Sequence, residues 1–268
     1  MIPITFLSDY GHRDEFAGVC RAVIARIAPG ARVVDLTHGI EPGAIRQGAL
    51  ALANALPYAA PGVHLAVVDP GVGSERRPVA VRTGEDRLLV GPDNGLLAPA
   101  LERLGGAAEA VDLSTSPFRL EPLSATFHGR DLFAPVAARL ALDATLGEAG
   151  EPIDPGSLTT LELPTPDIEA NRLVAHVVHL DRYGNATLDA TVGDLDAGPL
   201  AGAKAVEVSV GRATAPARLG RAFADVEPGE LLLYEDSSRT LALAVNQGSA
   251  AELFGLEPDL EVVLAPGL

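Results

Sequence analysis

Three short apolar runs in the first half of the chain, residues 4–7, 33–36 and 63–68, are separated by stretches of helical spacing, and this alternation limits the fold more than any other feature. In the first helical stretch Phe16, Val19, Cys20, Val23, Ile24 and Ile27 make one apolar face, and Pro29-Gly30 ends it. In the second, Ile45, Ala49, Leu52, Ala53 and Leu56 repeat the spacing until Pro57. Residues 78–82 and 88–90 read as a hairpin around Gly84-Glu85-Asp86. Residues 131–142 read as a last helix with Asp131 as its N-cap. Strands and helices in alternation predict a three-layer α/β domain on a largely parallel sheet.

The pattern then changes. Residues 147–167 are rich in Pro, Gly, Glu and Thr and read as a linker. Beyond them residues 172–180, 203–210, 230–234 and 240–245 are strand-like with few helical signals, the last two joined as a hairpin across 235–239. The expectation is an α/β domain over 1–146, a linker over 147–167 and an all-β barrel domain over 168–268. With 268 residues, 47% of them hydrophobic, the chain has enough apolar side chains for two modest cores.

Composition removes several classes of function. Asp and Glu total 36 against 20 Lys and Arg, a net charge of -16, where a nucleic-acid binder carries a basic face. No apolar run approaches the ~20 residues that span a bilayer. The first residues lack a basic segment and a signal-peptide layout, and Cys20 is the sole cysteine, so no intramolecular disulfide forms. A cytoplasmic protein acting on a small molecule, with no membrane or nucleic-acid partner, is expected.

Polar, glycine-bearing segments follow or precede the expected elements of the first domain: Ser8-Asp9-Tyr10-Gly11-His12-Arg13-Asp14, Asp69-Pro70-Gly71-Val72-Gly73-Ser74-Glu75-Arg76-Arg77, Gly91-Pro92-Asp93-Asn94-Gly95 and Thr126-Phe127-His128-Gly129-Arg130-Asp131. In open α/β sheets, ligands bind outside the carboxyl ends of strands, where such loops converge. Each residue also has a plain structural reading. An Asp after a strand forms turns or caps helices, adjacent arginines are ordinarily a solvated pair, and a His before a helix ordinarily packs or caps. The set Asp9, His12, Asp14, Asp69 and His128 also fits a divalent-metal phosphoesterase. His176 and His179, three apart in a strand, point to opposite faces and make no metal pair.

Taken together, the motifs are more specific than their parts. Phe6-Leu7-Ser8-Asp9-Tyr10-Gly11, Val67-Val68-Asp69-Pro70-Gly71-Val72-Gly73-Ser74-Glu75-Arg76-Arg77, Gly91-Pro92-Asp93-Asn94-Gly95 and Phe127-His128-Gly129-Arg130-Asp131-Leu132-Phe133-Ala134-Pro135 closely resemble the S-adenosyl-L-methionine hydroxide adenosyltransferases, hydrolytic relatives of the fluorinases and chlorinases. Asp181-Arg182-Tyr183-Gly184-Asn185 and Ala244-Val245-Asn246-Gln247-Gly248-Ser249-Ala250 extend the resemblance nearly end to end. It implies an α/β domain followed by a β-barrel, and a homotrimer with active sites between subunits. It also implies hydrolysis of S-adenosyl-L-methionine to adenosine and methionine.

The resemblance places the catalytic groups on Asp69, Arg76 and His128. It places the ribose carboxylate on Asp9, groups near the methionine moiety on Asp14 and Asp181, and barrel contacts on Asn185 and Ser237, with the Val245 backbone beside adenine. The plain readings of Asp181 with Asn185 and of Ser237 are a turn and a hairpin tip. Relatives often have Gly where this chain has Arg239, and Glu where it has Ala242. The sulfonium's own charge makes a good leaving group without metal or cofactor, and the difficulty lies in orienting and deprotonating water. Arg76 suits polarisation, and either Asp69 or His128 suits the base. A carboxylate at Asp69 disfavours a halide nucleophile. Two other readings are a metal-dependent phosphoesterase and a binding sensor without turnover.

Overall fold

The computed structural model describes residues 2–267, so Met1 and Leu268 lie outside it. The contacts divide the chain into two units that meet between Leu161 and Glu162.

The first unit is built on seven strands: β1 (Ile4–Ser8), β2 (Val33–Thr37), β3 (Val63–Val67), β4 (Pro78–Thr83), β5 (Leu88–Pro92), β6 (Ala107–Asp112) and β7 (Glu151–Ile153). They lie in the order β2-β1-β3-β5-β4-β6-β7. The first four in that order are parallel, and the remaining pairings are antiparallel. The helices are α1 (Phe16–Ile27), α2 (Ile45–Ala55), α3 (Ala98–Arg103), α4 (Ala134–Leu140) and α5 (Leu146–Ala149). Cys20, Val23 and Ile24 of α1 pack with α4 and α5 on Ile4, Phe6, Val63, Leu65 and Val67. Ala49, Leu52 and Ala53 of α2 pack with α3 on the opposite face, against Leu7, Ala66 and Val68. Two covered faces explain why β1 and β3 are buried at every position, the polar Thr5 and His64 included, rather than at alternate ones. Leu65 is fully buried, and truncation to Ala there costs about 2–5 kcal/mol.

The chain leaves β1 through α1 to β2 on one side, then returns through α2 to β3 on the other side of β1. The connections diverge between the carboxyl ends of β1 and β3, which opens the crevice where such folds bind ligands. Asp9 and Asp69 follow those two strand ends.

Three details differ from the sequence expectations. The last helix begins earlier, with a π-type turn over Gly129–Phe133 that leads directly into α4. Asp131 therefore lies inside the helix and does not cap it. Its buried carboxylate instead takes the Ser124 N–H at 2.9 Å and pairs with Arg130 at 2.6 Å, tying the preceding loop down. Residues 147–167, read as a linker, hold most of α5 and all of β7, which pairs with β6 at the sheet edge. The strand β6 and helix α3 lacked a periodic signal strong enough to be read.

The second unit contains β8 (Asp167–Ile168), β9 (Leu173–Leu180), β10 (Ala186–Leu188), β11 (Ala205–Val210), β12 (Ala213–Leu219), β13 (Leu231–Glu235), β14 (Leu241–Val245) and β15 (Glu261–Pro266), with short helices α6 (Val192–Ala197) and α7 (Ala250–Phe254). The order is β10-β14-β13-β12-β11-β15-β9-β8, and a further pairing of β10 with β9 closes seven strands into a barrel. Leu173, Ala175 and Val177 of β9 meet Val206, Leu233, Leu243 and Leu264 inside it. Arg239 adopts φ +69° in the β13–β14 turn, a left-handed conformation that favours glycine. Ala242 is buried and pairs with Tyr234 and Thr187.

Candidate active site

Three loops of the first unit bring their polar side chains together beside the end of β3. Asp69 follows that strand, Arg76 ends the loop toward β4, and His128 immediately precedes the π-type turn packed against β3. The Arg76 guanidinium donates through Nε to Asp69 Oδ1 at 2.9 Å and Oδ2 at 3.1 Å, and its Nη2 also contacts Oδ2. The same Nη2 lies 2.9 Å from His128 Nδ1. The ion pair is almost closed to solvent, with side-chain exposures of 9% for Arg76 and 6% for Asp69. The guanidinium carbon also stands 5.5 Å from the centre of the Phe133 ring, a cation–π contact.

This arrangement fixes the histidine's protons. Arginine only donates, so Nδ1 of His128 accepts, and the proton of the neutral ring sits on Nε2. Burial, followed by the positive charge of Arg76, lowers the His128 pKa, against opposite pulls from Asp69 and Asp131. The ring is therefore neutral at neutral pH, with its basic nitrogen committed to Arg76. Among the described residues the Asp69 carboxylate takes its side-chain donors from Arg76, and its four lone-pair sites are not all used. A single water could thus meet a cation, a carboxylate and an imidazole N–H.

Asp9 stands at the end of the neighbouring strand β1. Its Oδ2 accepts the Gly43 N–H at 2.8 Å. Gly43 has φ +74°, which orients that N–H and favours glycine. Burial raises the Asp9 pKa; the Gly43 N–H opposes this and the Asp69 charge adds to it. Tyr10 packs its ring against Phe127. A Cβ at Gly129 would stand 2.0 Å from the Tyr10 hydroxyl, so a larger residue beside His128 would have to displace the Tyr10 ring. Asp14 is exposed, in the bend just before α1, and does not join the Asp69–Arg76–His128 contacts.

In the barrel unit, Asp181 and Asn185 flank the β9–β10 turn and bind one another. Asp181 Oδ1 takes the backbone N–H groups of Tyr183 and Asn185 at 2.8 and 3.0 Å, and Oδ2 takes Asn185 Nδ2 at 2.8 Å. Val245 ends β14, while Ser237 is exposed in the turn that precedes the same strand. Asp236 braces that turn: Oδ1 accepts from the backbone N–H groups of Ser238 and Thr240, and Oδ2 from the Thr187 hydroxyl at 3.1 Å. His176 is held by Asp189 at 2.8 Å, a clasp within the barrel. Among the described residues there is no group of three or more His, Cys, Asp or Glu side chains suited to a metal ion.

Family models match both units. The SAM hydroxide adenosyltransferase N-terminal domain covers residues 4–150, and the C-terminal domain of the same family covers residues 175–263. The chain belongs to the SAM hydroxide adenosyltransferase family. A protein of Salinispora tropica named (R)-S-adenosyl-L-methionine hydrolase is 48% identical over 255 residues, 95% of this chain and 94% of its own length. A protein of Nocardia brasiliensis named fluorinase is 27% identical over 292 residues, 98% of this chain and 97% of its own. The crystal structure of a conserved protein from Thermotoga maritima superposes with a TM-score of 0.89 at 34% identity, covering 98% of this chain and 99% of that one.

Sequence reasoning missed some residues that shape the candidate site. Gly43 acts through a backbone N–H, and its Pro-Gly context signalled only a turn. Phe133 stood inside a recognised motif, but nothing in the sequence set its ring beneath Arg76. Asn94 holds the carbonyl of Val68, the residue before Asp69, at 2.9 Å and caps the Leu96 N–H at 3.2 Å. No helix is long and apolar enough to cross a membrane among the described residues.

Proposed function

We propose that this chain is a cytoplasmic enzyme that hydrolyses S-adenosyl-L-methionine to adenosine and L-methionine. The observation that carries the reading is the buried Asp69–Arg76–His128 network beside the β1/β3 crevice. Water held by that network attacks C5′ in line with the sulfonium. The O–C5′ bond forms, the C5′–S bond breaks, and its electron pair leaves on sulfur as the neutral thioether of methionine. Bonding to carbon makes the attacking water strongly acidic, so a carboxylate suffices as acceptor, and its proton passes to Asp69 and then to solvent. His128, with its basic nitrogen turned to Arg76, offers its Nε2–H to orient the oxygen. Arg76 supplies the positive charge that a metal would otherwise bring, so no metal or cofactor is required.

Asp9 binds the ribose hydroxyls, and Asp14 and Asp181 serve the methionine moiety. Asn185, Ser237 and the Val245 backbone contact the remainder of the substrate. The resemblance supports a homotrimer in which each site is completed by a neighbouring subunit. Incubation with S-adenosyl-L-methionine, with products separated, tests the activity. Adenosine and methionine should appear in equal amounts. Tight binding without turnover would mark a sensor, and no reaction or binding would remove the proposal.

The fluorinase relative makes halide the competing nucleophile to test. The Asp69 carboxylate raises the cost of placing an anion beside C5′. High chloride or fluoride should still yield adenosine alone, and a 5′-halo-adenosine as main product would overturn the hydrolytic assignment.

A further inference from the structure

Beside the candidate ribose site lies a polar chain that the proposed chemistry does not use. His38, directly after β2, is fully buried. Its ring meets Phe6 edge-on at 4.6 Å between centres. Nδ1 is 2.7 Å from the hydroxyl of Ser8, the last residue of β1, which is itself fully buried. Nε2 lies 3.2 Å from Asp35 Oδ1. On the other side, Ser8 Oγ accepts the Tyr10 N–H at 3.3 Å, and the backbone carbonyl of His38 accepts the Gly11 N–H at 2.7 Å.

These contacts bracket one residue. Asp9 sits between Ser8 and Tyr10, and its own carboxylate is held by Gly43 in the same β2–α2 connection. An aliphatic side chain would fill the space at His38 without the desolvation cost of an imidazole, and a buried imidazole is tolerated when its polar atoms are engaged. The Asp35 carboxylate, 3.2 Å from Nε2, favours the proton there by its charge, without forming a hydrogen bond, so Nδ1 accepts from the Ser8 hydroxyl, whose oxygen in turn accepts from Tyr10. The donations then run in one direction from the Asp9 loop to His38.

We infer that His38 is a positioning residue: through Ser8 and its own carbonyl it fixes the loop that presents Asp9 to the ribose of the substrate. The inference rests on the proposed assignment of Asp9. A carboxylate that binds ribose alike in ground and transition states acts on KM, so loosening its loop should raise KM and spare kcat.

The experiment compares wild type with His38→Leu, His38→Asn and Ser8→Ala, using steady-state turnover of S-adenosyl-L-methionine and amide hydrogen exchange at Tyr10 and Gly11. His38→Leu should raise KM about tenfold with kcat within about threefold of wild type, and both amides should exchange faster. His38→Asn keeps an oxygen able to accept from Ser8 and should restore KM to within about threefold of wild type. Ser8→Ala breaks the side-chain link to the Tyr10 N–H and should raise KM in the same direction, which tests the inference even if His38→Leu does not fold. An unchanged KM in both His38→Leu and Ser8→Ala, or a fall in kcat at constant KM, would overturn it. Should wild type itself lack turnover, the proposed function fails. The exchange at Tyr10 and Gly11 still decides whether His38 holds the loop, and equal exchange in wild type and His38→Leu refutes it.

Discussion

Arg76 and Arg77 are neighbours with the same side chain and each is paired to an aspartate, yet they serve opposite ends. Arg76 turns to Asp69 and His128, and among the described residues the Asp69 carboxylate takes its donors from that guanidinium. Arg77 turns to Asp93, whose Oδ2 takes Nε at 3.0 Å and Nη2 at 2.6 Å. Asp93 Oδ1 is also occupied, by the Thr159 N–H at 2.7 Å, and Arg77 reaches the Ser157 carbonyl and hydroxyl. Each carboxylate takes three donor contacts, but those on Asp69 come from Arg76, which also reaches the His128 ring, whereas Asp93 gives one oxygen to the Thr159 backbone and Arg77 pins residues 157–159 to the sheet. The two ion pairs differ in what they join: one gathers three side chains, the other fastens backbone.

The sharpest break of this comparison is kinetic. Arg76→Ala, Asp69→Ala and His128→Ala should each lower kcat by about 10²–10⁴-fold while substrate binding persists, whereas Arg77→Ala should stay within about threefold. Steady-state kinetics with direct binding titrations would show it, and an equal loss in Arg77→Ala would erase the distinction.

Next in size is an acid limb that belongs to the Arg76 pair alone. Burial and Arg76 lower the His128 pKa from its ordinary 6.5, so the neutral ring predominates at and above that pH. Protonation puts a hydrogen on Nδ1 facing the guanidinium and breaks the contact. Activity should fall about tenfold per pH unit below the lowered pKa. For stability the sign is the same: the contribution of the neutral ring is complete above the unfolded pKa and is lost as pH falls through the folded one. A pH–rate profile that stays flat until acid unfolding would remove His128 from the mechanism.

Asp93→Ala should act on stability instead. It leaves the Thr159 N–H without its partner and the Arg77 guanidinium with Ser157 alone, at a cost of about 1–3 kcal/mol in urea unfolding, with kcat within about threefold of wild type. A large kcat loss at unchanged stability would reverse the roles of the two pairs. The smallest effect expected is none at all. Dialysis against chelator should leave turnover unchanged because Arg76 carries the charge, and loss of activity restored by Mg²⁺, Mn²⁺ or Zn²⁺ would return the phosphoesterase reading.

Much of this was legible in the residues. The helical spacing from Phe16 to Ile27 set α1 to its observed bounds, because the apolar face is long, regular and stopped by Pro29-Gly30. The apolar runs of β1 and β3 announced a sheet covered on both faces. The motifs around Asp69, Arg76 and His128 named the polar groups that meet. Short-range signals failed where a partner distant in sequence decides the outcome. β7 is three residues long and is a strand because β6 lies beside it. Asp131 looks like a cap until its carboxylate meets Ser124 and Arg130.

What the sequence determined, then, is the alternation that builds an α/β unit, the change to a β-rich unit, and the set of polar residues at the strand ends, since these depend on periodicity and residue type. Tertiary structure alone decided that β3 lies beside β1 on the side away from β2, which opens the crevice at Asp9 and Asp69. It also decided that Arg76 rather than Arg77 meets His128, and that Gly43 and His38 from the β2–α2 connection hold the Asp9 loop. Those outcomes rest on contacts between residues 30 or more apart, such as Ser8 with His38 and Arg76 with His128, and on burial that only the assembled layers create. Local sequence carries neither the distance nor the dielectric environment that gives such contacts their strength.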